Sequence, residues 1–294
     1  MSISAVSVPR EGSILCPDSL GWHRLVYSDW GPEDGKPVLC VHYLTGNGKY
    51  FDWLARDLAS EGFRVIAPDM PGRGRSENLK NPQDYVFRQY ISDLGTLLAA
   101  LGINQPQSVD WIGASMGGLL GIVVAAMPNS PVKRLTVVDV GPLLAAGEMK
   151  QMAAYIAKPP AFKTMPEFEK FVRDLRSAAW GPVPDGYWPE FARQNVKTLP
   201  DGTFTLAYDP GIAAAFAGET AAGLDLWPTW DAITCPVLTL HGEKSAILPQ
   251  AVADEMTKRG PRSRLENIKG CGHVPSLATP EQIALVRAWL LPPV

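Results

Sequence analysis

Two short, glycine-framed segments carry side chains from which a nucleophilic mechanism could be assembled. Residues 113–118 read GASMGG, a G-x-S-x-G pattern between an apolar run and a helical run. A sharp strand-to-helix turn there would strain the serine backbone and lift its hydroxyl above a sheet. It would also set the unpaired N–H groups of the next helix beside that hydroxyl. Ser115 is therefore the candidate nucleophile; the plainer alternative is a glycine-rich turn with a capping serine. A serine hydroxyl is weak without a base. Among four histidines, His273 lies in GCGHVP (270–275), an irregular loop after the last strand run. Loops at the carboxyl ends of parallel strands line ligand crevices, so His273 is the candidate base. His241 ends an apolar strand and reads as structural, and His23 has no supporting context. With no HxxxH, CxxC or carboxylate–histidine cluster in the sequence, neither a metal nor another cofactor is expected.

An acyl-transfer site also needs donors for a developing oxyanion. In a serine enzyme of alternating strands and helices, one comes from the loop after an early strand and one from the residue after the serine. Here those are the backbone N–H groups of Leu44, with Tyr43 as second choice, and Met116.

The elements that must hold these residues follow from the hydrophobic pattern. Strand patterns occupy 23–31, 37–44, 64–70, 108–115 and 132–140, with helical patterns at 50–62, 86–102 and 116–127 between them. Such alternation predicts an α/β fold with a mostly parallel sheet and helices on both faces. The rhythm breaks after Gly141-Pro142. It resumes with the strand 235–242, the helix 249–260, the strand 263–270 and a final helix, 280–291. The stretch 142–226 is helical and rich in Pro and Trp, with its clearest helices over 167–180 and 186–199. It reads as a helical cap inserted into one core formed by 1–141 and 227–294.

Composition sets the outer limits. The 294 residues are 46% hydrophobic and 19% charged, enough for a large core. The net charge of −3 gives no electrostatic footprint for nucleic acid or an anionic membrane. Cys16, Cys40, Cys235 and Cys271 form no disulfide pattern, which suggests a reducing compartment. No signal peptide pattern opens the chain, so a cytoplasmic location is expected.

The order of motifs resembles the α/β-hydrolase superfamily over nearly the whole chain. VHYLTGN (41–47), RVIAPDMPGRGRS (64–76), GASMGG, LTVVDVGP (135–142), PVLTLHGE (236–243) and GCGHVP stand in that family's order. Tyr43 occupies a position where members more often have glycine, and PGRGRS with Asp69 is expected to shape its loop. The resemblance implies a capped serine hydrolase of the carboxylic ester type. It would cleave a small ester or lactone with an acyl or aromatic group through an acyl-enzyme. Tyr43, Trp180 and Trp188, with Trp227, Trp230, Tyr187, Phe191 and Phe216, would line its pocket.

In the family the triad acid commonly follows the strand matched by PVLTLHG. A Ser-Asp-Ile/Leu-Leu pattern there falls on Ser245, Ala246, Ile247 and Leu248, so the acid position is Ala246. The main expectation is an inactivated acid-to-alanine variant, with aspartate at 246 in the parent sequence. A second reading moves the acid to Asp139, at the end of the preceding strand; Glu243 is a weaker substitute. A third is a noncatalytic small-molecule binder on the same scaffold, and C–C bond hydrolysis is a further alternative reaction.

Overall fold

The computed structural model of the protein describes residues 8–217 and 223–291, with the side chains of 148, 149, 151 and 215–217 outside that description. Its first half comprises β1 (Arg10–Asp18), β2 (Gly21–Trp30), β3 (Lys36–Val41), α1 (Asp52–Ser60), β4 (Phe63–Asp69), α2 (Phe87–Ala100), β5 (Val109–Ala114), α3 (Met116–Ala125) and β6 (Val132–Val138). Next come β7 (Leu143–Leu144), α4 (Ala146–Ala157), α5 (Met165–Trp180), α6 (Tyr187–Gln194), β8 (Val196–Thr198), β9 (Phe204–Leu206), a 3₁₀ helix (Pro210–Ala217), β10 (Leu224–Asp225) and α7 (Trp227–Asp231). The chain closes with β11 (Val237–Gly242), α8 (Gln250–Met256), β12 (Arg264–Ile268) and α9 (Pro280–Leu290).

Eight strands form one sheet in the order β1-β2-β4-β3-β5-β6-β11-β12. β1 and β2 pair antiparallel, as do β2 and β4, and every later neighbour pair is parallel. The α/β class and the mostly parallel sheet expected from the alternation are therefore present. From β3 the chain first steps outward to β4, then crosses back to β5 and continues outward on the other side. The carboxyl ends of β3 and β5 thus form a topological switch point, where sheets of this kind hold ligands.

Burial explains why these elements sit where they do. Every residue of β5 and β11 is buried, as strands covered on both faces require. α3, MGGLLGIVVA, buries all but one of its residues, so this helix can only lie in the middle of the fold. Each large aliphatic side chain so enclosed contributes roughly 1.5–3 kcal/mol relative to exposure. Among the described residues no helix is long and apolar enough to cross a membrane.

Two elements depart from the sequence pattern. β1 precedes the first expected strand; Leu15 and Trp22 of its hairpin with β2 are exposed, which blurs the alternation that marks a strand. The helix expected over 186–199 stops at Gln194. Val196–Thr198 instead pairs with Phe204–Leu206, with a turn through Asp201 and Gly202 between them.

Between β6 and β11 the chain is mainly helical, and none of its short strands joins the large sheet: β7 pairs with β10 and β8 with β9. α5 starts with a reciprocal capping box, Thr164 accepting from Glu167 N and Glu167 reaching back to Thr164 N. Its far end meets the core directly. Gly272 N donates to Ala179 O (2.6 Å), and the Cys271 thiol to Trp180 O (3.1 Å).

Candidate active site

The serine turn takes the form its glycines require. Ser115 has φ 48° and ψ −111°, a conformation that costs a non-glycine residue about 1–3 kcal/mol. A Cβ at Gly117 would lie 2.0 Å from Val41 O, and one at Gly113 would lie 2.1 Å from Gly117 O. Glycine at both places lets β3, β5 and α3 converge at one point, and the Trp111 indole N–H secures the turn by donating to Gly117 O (3.0 Å). Ser115 is left partly exposed at the carboxyl edge of the sheet.

His273 arrives from the loop after β12. Its Nε2 lies 3.0 Å from Ser115 Oγ, although 158 residues separate the two in sequence. Its Nδ1 lies 2.8 Å from Asp139 Oδ2. The structure thus brings together Ser115, His273 and Asp139 in one hydrogen-bonded chain. The Tyr50 hydroxyl donates to Pro275 O, and Lys244 N to Cys271 O (2.8 Å), so the histidine loop is pinned from two sides.

Of the two acid positions expected from sequence, it is Asp139 that the structure brings to the imidazole. Ala246 is exposed, whereas Asp139 is fully buried one residue beyond β6. Besides the imidazole, the Asp139 carboxylate accepts from Gly242 N (2.7 Å), Ser245 Oγ (2.6 Å) and Val274 N (3.3 Å). Ser245 Oγ in turn accepts from Ile247 N and Leu248 N (3.2 and 3.1 Å). The loop after β11 therefore supplies a hydroxyl that supports the carboxylate. Glu243 faces elsewhere, accepting from Gly270 N (2.9 Å). His241 bonds Asn267 Oδ1 (2.8 Å) and Leu248 O (2.9 Å), and so ties the same loop to the sheet.

The segment carrying Leu44 is held from both sides. His42 Nδ1 bonds Tyr43 O (2.6 Å), while its Nε2 accepts from Met70 N (2.9 Å). Burial lowers the His42 pKa to about 4, so the ring is neutral and its Nδ1–H is the donor. Tyr43 O and Leu44 N–H belong to one trans peptide and point in opposite directions, so fixing the carbonyl aims the N–H. Behind it, the buried Arg73 donates from Nε to Leu44 O (2.9 Å) and from Nη1 to Pro71 O (2.6 Å) and Tyr90 Oη (2.8 Å). Met116 N–H opens α3 and has no helical acceptor. Asp69 ties the PGRGRS loop, accepting from Gly48 N, Arg75 N and Arg75 Nε at 2.8 Å each. Arg73 lies within PGRGRS and Ser245 within the pattern that aligns position 246, but only the fold reveals what their side chains touch.

Most of the aromatic lining expected from sequence proves to be packing. Trp180 is fully buried and Tyr43 nearly so, within a cluster that includes Tyr50, Tyr187 and Phe191. Such rings seal the helical segment onto the core and have almost no surface for a ligand. Trp230 is also enclosed, with Nε1 donating to Arg259 O (3.1 Å). Trp188, stacked on Trp180 at 5.8 Å, and Trp227 are only partly buried. The side chain of Phe216 lies outside the described residues.

Two other groups bear on the chemistry. Burial pushes the Cys271 thiol up to about 11, so this neighbour of the histidine is no competing nucleophile. Cys16, His23 and Asp93 form a buried group with metal-ligand atoms close together. Both His23 nitrogens already face carboxylates, Asp18 and Asp93, at 3.2 Å. This cluster lies among β1, β2 and α2, elements apart from those that carry Ser115, His273 and Asp139.

A serine on a strand-to-helix turn, a histidine on the last sheet loop and an aspartate at a strand end thus share one hydrogen-bonded chain at the carboxyl edge of an α/β sheet. The family model for the alpha/beta hydrolase fold matches residues 36–279, and the chain belongs to that family. It is 38% identical over 286 residues to a 3-hydroxybutyrate-oligomer hydrolase of Cupriavidus necator, covering 94% of this chain and 96% of that one. It is 28% identical to a bifunctional esterase/perhydrolase of Acinetobacter calcoaceticus, over 80% and 85% of the two chains. An α/β hydrolase structure from Novosphingobium aromaticivorans superimposes with a TM-score of 0.81 at 31% identity, covering 95% and 97% of the two chains. The protein is a hydrolase of this family.

Proposed function

We propose that the protein is a serine hydrolase of carboxylic esters, acting on short oligomers of hydroxy acids. The observation that carries this reading is the unbroken chain from Ser115 Oγ through His273 to Asp139, at 3.0 and 2.8 Å. Ser115 attacks the ester carbonyl carbon and passes its proton to His273 Nε2. Asp139 selects the tautomer with hydrogen on Nδ1 and stabilises the imidazolium that forms. The N–H groups of Leu44 and Met116 receive the negative oxygen, a contribution worth several kcal/mol in comparable sites. The tetrahedral species collapses as His273 returns the proton to the leaving alcohol. Water then attacks the acyl-Ser115 ester, with His273 again accepting and returning the proton. The net change is ester plus water to acid plus alcohol.

The choice of hydroxy-acid oligomers rests on the extensive similarity to the Cupriavidus enzyme. In this reading the helical segment 142–226 is a cap over the site, clamped through the Ala179 and Trp180 carbonyls to the loop that carries His273. The test combines a labelling agent with a substitution. A fluorophosphonate should add its mass to the peptide containing Ser115, and Ser115→Ala should abolish hydrolysis of both p-nitrophenyl butyrate and a 3-hydroxybutyrate dimer. Full activity in the alanine variant, or label on another residue, would remove the basis of the proposal.

A further inference from the structure

α5 presents two kinds of basic side chain. Lys170 pairs with Asp174 and Arg173 with Glu169, ordinary pairs at i,i+4 on the solvent side. Arg176 is different. It is partly buried and turned towards the core, and among the described residues no carboxylate lies within ion-pair distance of it. Its guanidinium carbon stands 4.9 Å from the Tyr43 ring centroid and 5.7 Å from that of Trp180. Nη2 donates to Thr45 Oγ1 (3.2 Å), in the residue next to Leu44.

A second cation meets this loop, since Arg73 is buried against Leu44 O and its described hydrogen bonds reach no carboxylate. Two guanidinium groups therefore meet residues 43–45, and among the described residues neither forms an ion pair with a carboxylate. In a partly desolvated setting such a field favours an anion. The rings of Tyr43 and Trp180 limit how the Arg176 group can turn, while its other donors stay unused by the described residues. A planar guanidinium held in this way suits bidentate contact with a carboxylate.

We propose that Arg176 reads the carboxylate of an ester whose leaving alcohol is itself a hydroxy acid, so that oligomers are cut from their carboxyl end. This rests on the serine-hydrolase reading and names the part of the substrate that the cap side of the site recognises. In a 3-acyloxy acid the carboxylate carbon is three bonds from the ester oxygen. In the proposed binding mode the carbonyl oxygen takes Leu44 N–H, and the acid end of the leaving group is directed to Arg176, which bonds the next residue, Thr45. The acyl end of such an oligomer has a hydroxyl and no charge, so an arginine distinguishes the two ends.

The experiment measures kcat and KM for a 3-hydroxybutyrate dimer as the free acid and as its methyl ester, with wild type, Arg176→Gln and Arg176→Lys. Wild type should favour the free acid in kcat/KM by about tenfold or more. Arg176→Gln should collapse that ratio through KM, and Arg176→Lys should retain part of it. In wild type, 3-hydroxybutyrate should compete better than its methyl ester, a measurement that stands even if a variant folds poorly. Equal preference in wild type, or a ratio unchanged in Arg176→Gln, would overturn the proposal. A loss shared equally by both substrates would overturn it as well, by assigning Arg176 to packing. Ser115→Ala separates the two levels, because activity surviving there defeats the serine reading and leaves the Arg176 ratio to be judged on its own.

Discussion

Replacing Asp139 by asparagine keeps the shape of the buried side chain and removes its charge and one acceptor. Gly242 N–H presses on Oδ1 at 2.7 Å, while Ser245 Oγ and His273 Nδ1 meet Oδ2 at 2.6 and 2.8 Å. An amide cannot satisfy both sides. If its NH2 faces Gly242, two donors collide in a dry site; if it faces His273, the ring must present a bare Nδ1 and carry its proton on Nε2. That tautomer points a hydrogen at Ser115 Oγ and cannot accept one. In serine proteases with the same arrangement the corresponding change costs about 10⁴ in kcat, or roughly 5.5 kcal/mol of transition-state stabilisation. A loss of that order is expected for Asp139→Asn in p-nitrophenyl butyrate turnover, with thermal melting run alongside to show that the protein stays folded. A variant keeping more than a tenth of the wild-type kcat would refute the reasoning. Ala246→Asp is the companion, since its exposed side chain should leave kcat within about threefold, as surface changes do. A hundredfold gain would return the acid to position 246.

Two further outcomes follow from the same structure. Ser245→Ala removes one donor from Asp139 and the acceptor for Ile247 N and Leu248 N, so kcat should fall about tenfold with KM little changed; an unaltered kcat would show that the carboxylate is held without it. Burial by itself would lower the His23 pKa, but bonds and charges from Asp93 and Asp18 outweigh it and hold the group above its ordinary value. Its contribution to stability is therefore complete below the unfolded value of about 6.5 and is lost as pH rises through the raised one. Urea midpoints measured from pH 5 to 9 should fall across that window in wild type and lose this component in His23→Gln; identical slopes would exclude the ion pair as its source.

The α/β class, the mostly parallel sheet and the family were readable because they rest on repeated signals: alternating strand and helix patterns, and six motifs in a fixed order. Ser115 and His273 stood out for a related reason. A strained turn and an irregular loop need glycine at set positions, and glycine at set positions can be seen. Asp139 has no such frame. An aspartate at a strand end bonds loop backbone in many proteins, and Asp139 does that too, through Gly242 N and Val274 N. Nor can tryptophan content distinguish a pocket wall from a seam. Trp180 and Trp188 stack on each other, yet one is fully enclosed and the other partly open. β1 was hidden because a hairpin at the edge of a sheet tolerates exposed Leu15 and Trp22.

With Asp139 as the proposed acid, the alanine at position 246 gains a structural account. β6 and β11 are adjacent and parallel, so residues just past their carboxyl ends converge on the same space behind His273. Ser115 N donates to Val138 O and Asp139 N to Leu240 O, which fixes Asp139 between the Ser115 turn and β11. A carboxylate there fills the space that a side chain from the loop after β11 would otherwise need, and two carboxylates against one imidazole would repel each other. The loop can then contribute only a neutral donor. Ser245 supplies it, and the residue beside it is free to face solvent as alanine.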